Sequence, residues 1–355
     1  MLSPTILDDG VEVSVPNAPR GGSSDSTSTR LFINQIVKFA LLESVPIMEN
    51  PPNTLPWKRF WVPVGGTITC DVAGGFLQDP DGTFGKFSNK DLRSLPELSS
   101  VSCLILTGEP GIGKSQSLHD FISLSNPSHV PLLFVDFREF PDLDTFKEKV
   151  IKSKDWVNLS GGGASLRLLI DGLDEGLIKI PGFLEYFVSE CRALPPQAIQ
   201  NLRLILTCRI LDWPWAVGQN LINLFSSAKD AEGKSIPNVW ELCPIRRQDA
   251  MEAAVAKGLD SEGFIRTIYD QHLTALAARP ITLFMLIRQF ALKGPFSMGH
   301  RELYQAHSLA LCEDYDKSRA RRLGPLISGQ VPSPQKLLRV SCKIAAYLML
   351  GGKSS

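Results

Sequence analysis

An open α/β fold, a parallel sheet flanked by helices and followed by an α-helical domain, is predicted by two patterns and one loop. From Val101 to Cys243, short apolar runs of strand length alternate with segments of helical period. That alternation marks a parallel sheet buried on both faces. Beyond Pro244 only helical periods remain. Directly after the first apolar run stand Gly108, Glu109, Pro110, Gly111, Ile112, Gly113, Lys114 and Ser115. They complete the pattern G-x-x-x-x-G-K-[ST], a phosphate loop between a strand and a helix.

In chain order, residues 14–29 are polar and rich in Gly and Ser, so the N-terminus, 1–30, is expected to be disordered. Residues 31–100 hold an amphipathic helix at 31–42, then aromatic and branched residues among Gly and Pro from Trp57 to Thr83, read as short strands. This segment is expected to pack beside the nucleotide domain, assigned to 101–243. There strands are expected at 101–106, 131–137, 166–170, 202–206 and 239–243, with helices at 114–124, 143–151 and 182–194. The helical domain, 244–330, is given helices at 247–257, 261–277, 281–292 and 301–316. One more helix is expected at 334–349, and no internal repeat is visible.

Composition narrows the function classes. The 355 residues are 43% hydrophobic, enough for two domains or for one large domain with a tail. Lys plus Arg and Asp plus Glu number 37 each, so net charge gives no reason to expect nucleic-acid or membrane-surface binding. The seven cysteines form no C-x-x-C pair or Cys/His cluster and read as buried thiols in a reducing compartment. An acidic start without an apolar core is no secretory signal, and no window reaches a membrane-spanning length. A soluble, cytoplasmic chain is expected.

The loop chemistry follows from its residue types. Glycines let backbone N–H groups turn inward around phosphate oxygens. Lys114 adds a positive charge, and Ser115 opens a helix whose N-terminus favours an anion while its hydroxyl can ligate Mg²⁺. A second apolar run, Leu168 to Ile170, ends in Asp171, Gly172, Leu173, Asp174 and Glu175. This strand end is expected beside the loop, with Asp171 holding Mg²⁺ and Asp174 or Glu175 orienting or deprotonating the attacking water. The alternative is a solvated acidic turn. A third run, Leu204 to Leu206, ends in Thr207, Cys208 and Arg209, placing an arginine at the carboxyl edge where ligands bind and a γ-phosphate could be read. Its alternative is a surface ion pair. The aromatic group Trp57, Phe60 and Trp61, and the pair Trp213 and Trp215, read as core anchors, with adenine stacking open for the first.

These three motifs together resemble the NACHT branch of the STAND signal-transduction ATPases, over about residues 100–290. Asp174 and Glu175 after the small residue of Asp-Gly-Leu-Asp-Glu are the most specific part of the match. The resemblance implies ATP, ADP or dATP with Mg²⁺, slow hydrolysis, and self-oligomerisation on ATP binding, in pathogen or phage sensing. It also implies an adenine contact from a small-x-Pro pattern, here Pro280 after Ala278 and Arg279; the alternative is an N1 proline or helix break. Leu242, Pro244 and Asp249 look like the family's lead-in to its helical domain. Such proteins usually continue into a winged-helix domain with a β-phosphate-contacting histidine and a long sensor. Residues 331–355 resemble only the start of that region, and neither His300 nor His307 is assigned the histidine's role. The expectation is a truncated chain or a partner of separately encoded effector and sensor chains. Two other classes are compatible with the same residues: a turnover ATPase or small-molecule kinase, and a nucleotide-binding fragment without signalling activity.

Overall fold

The computed structural model describes residues 57–71, 74–124, 130–230, 232–293 and 333–350, two short strands at 5–6 and 12–13, and the helical positions 302, 305, 308, 309 and 312. The expected helix at 31–42, most of that at 301–316, His300 and His307 lie outside them. Two compact units result, residues 48–307 and residues 1–47 with 308–355. Within the second, Thr5–Ile6 pairs antiparallel with Glu12–Val13, and Pro334–Leu350 forms a helix.

The unit 48–307 is built on a seven-stranded sheet. Its strands are β1 (Phe60–Pro63), β2 (Arg93–Ser94), β3 (Cys103–Thr107), β4 (Leu132–Asp136), β5 (Leu166–Asp171), β6 (Leu202–Thr207) and β7 (Val239–Leu242). They lie in the order β2-β1-β7-β3-β6-β5-β4. The five from β7 to β4 run parallel. β1 is antiparallel to both β7 and β2, so residues before 101 complete one edge of the same sheet.

The strands are continuous apolar runs because both faces are covered. On one face Cys103, Ile105, Leu168, Ile170, Leu204 and Leu206 join a core containing Phe137, Phe146, Phe183 and Phe187. On the other, Leu104, Leu106, Leu169 and Ile205 pack with Ile112, Leu118 and Trp240. Successive residues serve opposite layers, as the two-residue strand period requires.

The helices of the sheet layers are α1 (Lys114–Leu124), α2 (Leu143–Phe146, continued by a wider π-helical turn to Ile151), α3 (Lys154–Ser160), α4 (Leu173–Lys179), α5 (Phe183–Ala193), α6 (Pro196–Asn201) and α7 (Trp215–Ile222). Four of these, α3, α4, α6 and α7, are absent from the sequence expectation; each is eight residues or fewer, too short for a helical period to stand out. After β7 come α8 (Arg247–Ala256), α9 (Ser261–Asp270), α10 (Thr274–Ala277) and α11 (Pro280–Lys293), which share a core with Phe76 and Ile245. The single helix expected over 261–277 is two: His272 takes a left-handed φ of 53°, and the Leu273 amide reaches back to the Ile268 carbonyl. Asp249 is fully buried in the first turn of α8, where it accepts from the Arg246 amide at 2.8 Å and from its guanidinium, a structural cap.

Candidate functional site

Parallel strands bring their carboxyl ends to one edge, where ligands bind in open α/β sheets. Here that edge gathers Gly108 after β3, Asp136 on β4, Asp171 on β5, Thr207 at the end of β6 with Cys208 and Arg209 after it, and Glu241 on β7. The loop from Gly108 to Gly113 leaves β3, and Lys114 and Ser115 begin α1. Gly111 (φ 72°) and Gly113 (φ 101°) hold conformations that L side chains rarely adopt. Space is closed to them as well: a Cβ on Gly111 would stand 2.6 Å from Ile281 Cγ2, and one on Gly113 2.8 Å from Arg59 Nη1. The Lys114 ammonium curls over this arch and donates to the carbonyls of Gly108 (2.7 Å) and Glu109 (3.0 Å). The fold is that of a P-loop NTPase. Burial holds that ammonium below its ordinary pKa, opposed first by Asp174; Arg209 pushes the same way as burial.

Asp171 is not on the strand adjoining the phosphate-loop strand. β6 lies between them, because β3 pairs with β6 and β7 while β5 pairs with β6 and β4. The inserted strand supplies Thr207, whose hydroxyl donates to Asp171 Oδ1 at 2.5 Å and accepts from the Gly172 amide at 2.9 Å. Asp171 Oδ2 meets Arg138 Nη2 at 3.1 Å. Gly172 turns left-handed (φ 74°), and Asp174 and Glu175 follow in the first turn of α4, where the helix N-terminus favours negative charge. The acidic end is therefore half strand and half helix, not a loose turn.

Arg209 is tied to both acids. Its Nε meets Asp174 Oδ2 at 2.9 Å and its Nη2 meets Glu175 Oε1 at 3.7 Å. Asp174 also accepts from the Arg209 amide at 3.2 Å. Burial raises the Asp174 pKa, with Arg209 and Lys114 working against it. Arg209 thus stands at the carboxyl edge and is also ion-paired, but its partners are the acids of the site.

From the helical side, Arg279 and the first residues of α11 rest on the loop. Arg279 forms an ion pair with Glu109, Ile281 covers Gly111, and Pro280 Cγ would lie 3.6 Å from a Cβ on Gly113. Pro280 is also the first residue of α11, the N1 position that suits proline. Glu109 and Pro110 are exposed at the loop tip, and Ile112 is buried beneath it.

Several residues of the site carry no motif. Arg59, just before β1, donates from Nη1 to the Ile112 carbonyl (3.0 Å) and from Nη2 to the Cys243 carbonyl (2.8 Å), joining the loop to the chain leaving β7. Its Nε is buried without a partner, and burial lowers the guanidinium pKa to about 10. Nothing local announces Arg59. Arg138 and Asp136 could have been suspected from the polar end of the 131–137 strand. Of the aromatic residues, Phe60, Trp61 and Trp213 are buried, and Trp57 stacks on Phe284 at 5.7 Å, so they serve as core rather than adenine platforms; Trp215 is exposed. Among the described residues Cys103, Cys191, Cys208 and Cys243 are buried and free.

The donors that would hold Mg²⁺, the Ser115 hydroxyl and the Asp171 carboxylate, are hard oxygens of the kind Mg²⁺ accepts together with substrate phosphates. Asp171 retains acceptor capacity beyond its two present partners, so the set fits the ion. Among the described residues no group of three or more His, Cys, Asp or Glu could hold a metal without such help, and no helix is long and apolar enough to cross a membrane.

No family model matches the chain, and no curated protein matches it. Solved structures do. The Walker-type ATPase PABY2304 of Pyrococcus abyssi overlaps 70% of this chain and 85% of its own at 14% identity, with a TM-score of 0.39. The Aeropyrum pernix ORC2 protein, solved in ADPNP and ADP complexes, overlaps 72% and 82% at 11% identity, with a TM-score of 0.37. Domain III of the Thermotoga maritima replication initiation protein DnaA overlaps 66% and 94% at 15% identity, with a TM-score of 0.35. Likenesses of this size add nothing to what strand order and loop geometry already show.

Proposed function

We propose that the chain is an ATP- and ADP-binding molecular switch of the NACHT and STAND kind, using Mg²⁺ and hydrolysing slowly, in pathogen or phage sensing. The observation that carries this reading is the seat of the helical segment on the phosphate loop. Arg279 is paired with Glu109, and Pro280 and Ile281 cover Gly113 and Gly111. A nucleotide in the loop alters the surroundings of these contacts, so occupancy is felt by α11 without a separate relay.

A switch also needs an interaction that differs between ATP and ADP, since equal affinity for two states shifts nothing. Arg209 supplies one. It is held by Asp174 and Glu175, and in this reading a γ-phosphate would compete for the same guanidinium, a group that ADP lacks. In this reading Lys114 and the loop amides bind the phosphates, Ser115 and Asp171 hold Mg²⁺, Glu175 with Asp174 manages the attacking water, and Pro280 touches adenine. The ATP form self-associates and engages effector and sensor elements.

A small-molecule kinase is less well supported, because Arg246 is buried on Asp249 and Asp79 as part of the α8 cap and is structural. The test is to denature the purified chain and identify released nucleotide, with Lys114→Ala as control. Stoichiometric ADP, lost in the variant, is expected. Glu175→Gln is expected to retain ATP and assemble in light-scattering chromatography; a chain that binds neither nucleotide sinks the reading.

A further inference from the structure

Asp136 and Asp171 are register partners on the adjacent parallel strands β4 and β5. Strands in a sheet lie about 4.8 Å apart, so their side chains emerge from the same face as neighbours. Two carboxylates so placed repel unless a cation stands between them. Arg138 is that cation. Its Nε and Nη2 form a fork on Asp136 at 2.7 and 2.9 Å, and the same Nη2 reaches Asp171 Oδ2 at 3.1 Å.

The position of Arg138 is fixed by three further features. Its amide donates to Asp136 Oδ1 at 3.1 Å, capping the 3₁₀ turn Phe137–Glu139. Its carbonyl accepts from Lys179 Nζ at 2.6 Å, at the far end of α4. Its stem crosses Gly172, where a Cβ would stand 2.9 Å from Cγ and 3.1 Å from Cδ. The glycine between Asp171 and Leu173 therefore leaves room for this arginine as well as for its own left-handed turn.

The two oxygens of Asp171 are thus unlike. Oδ1 holds the neutral Thr207 hydroxyl, and Oδ2 shares a guanidinium with Asp136. A divalent ion held by Asp171 contends with that guanidinium for the carboxylate's charge. We infer that Arg138, shared between Asp136 and Asp171, is a positioning residue that sets the Mg²⁺ affinity of the nucleotide site, Asp136 governing how much of its charge Asp171 receives. The inference rests on the Mg²⁺-nucleotide reading of the site.

Opposite changes on the two sides of Arg138 give opposite effects. Arg138→Met removes the shared guanidinium from both carboxylates and tightens the divalent ion. Asp136→Asn gives the whole guanidinium to Asp171 and weakens it. Each shift is expected to be about tenfold, or about 1.4 kcal/mol. Arg138→Lys keeps the charge without the fork and should fall between wild type and Arg138→Met.

The experiment titrates Mn²⁺, as a paramagnetic substitute for Mg²⁺, into the ADP-loaded full chain and follows bound ion by electron paramagnetic resonance. Thermal melts of every variant report folding separately. Midpoints moving in opposite directions for Arg138→Met and Asp136→Asn support the inference. Shifts of the same sign, or none, overturn it and leave Arg138 as structural support. If Arg138→Met does not fold, Asp136→Asn decides alone, and an unchanged or tighter midpoint overturns the inference. A wild-type chain that binds no ADP, as Lys114→Ala should not, removes the nucleotide reading itself, and the wild-type arm tells that failure apart.

Discussion

A single ammonium shows how the site is set against the stability of the protein. Lys114 is held below its ordinary pKa of 10.5 chiefly by burial. In the interval just below 10.5 the unfolded chain therefore binds more protons at this group than the folded one, and stability rises with pH. Urea unfolding of the nucleotide-free protein across that interval should show wild type gaining on Lys114→Met as pH rises. Saturating ADP, whose phosphate charge favours the ammonium, should shrink or reverse the gain; the same slope in both proteins would show that Lys114 is not its source. Arg59 carries a different burden, since its two arms satisfy carbonyls on Ile112 and Cys243. An unpaired buried carbonyl costs about 1–3 kcal/mol. Arg59→Met is expected to lose on the order of 2 kcal/mol or more in urea unfolding. Arg59→Lys should recover only part, one ammonium being unable to span both carbonyls.

Among the elements, the contact of the phosphate loop with the start of α11 can be tested as a pair. Alanine at Gly111 meets two penalties, a φ of 72° and an approach of 2.6 Å to Ile281 Cγ2. Ile281→Ala removes Cγ2 and leaves only Cβ, at 3.4 Å. A residue in a sparsely populated backbone region costs of the order of 1–3 kcal/mol, and the clash adds to it. Gly111→Ala should therefore cost more in wild type than in an Ile281→Ala background, a coupling of at least about 0.5 kcal/mol between touching residues. Additive costs would mean that loop and helix relax independently. Nucleotide affinity should fall in both backgrounds, since the backbone strain remains in each.

For the unit 48–307 as a whole, ligand binding and stability are one quantity. ADP that binds only the folded state stabilises it by about 2.7 kcal/mol at a hundred times its Kd. Differential scanning calorimetry should show a concentration-dependent rise in Tm for wild type and none for Lys114→Ala. Arg279 and Glu109 pair across the loop at a partly exposed site. Such pairs contribute at most about 1 kcal/mol. Arg279→Ala should speed release of a fluorescent ADP by up to about fivefold, with at most a small change in the melting temperature of the nucleotide-free chain; unchanged release would mean that the pair does not help to hold ADP.

The α/β class, the five parallel strands to within about two residues, the phosphate loop, and the acidic and arginine strand ends are legible in the chain alone. Those features are local: a strand buried on both faces must be apolar throughout, and a loop that wraps phosphate must have glycine where φ is positive. Strand order was decided only by the tertiary structure. The placement of β6 between β3 and β5 depends on pairings distant in sequence, and it gives Asp171 its Thr207 partner. Arg59 and Arg138 are likewise ordinary arginines in the chain, one beside tryptophans and one after a strand. Their positions follow from Cys243 lying 184 residues beyond Arg59 and Asp171 lying 33 beyond Arg138. Side-chain partnerships at such separations leave no periodicity, spacing or composition to read, because folding alone brings their members together.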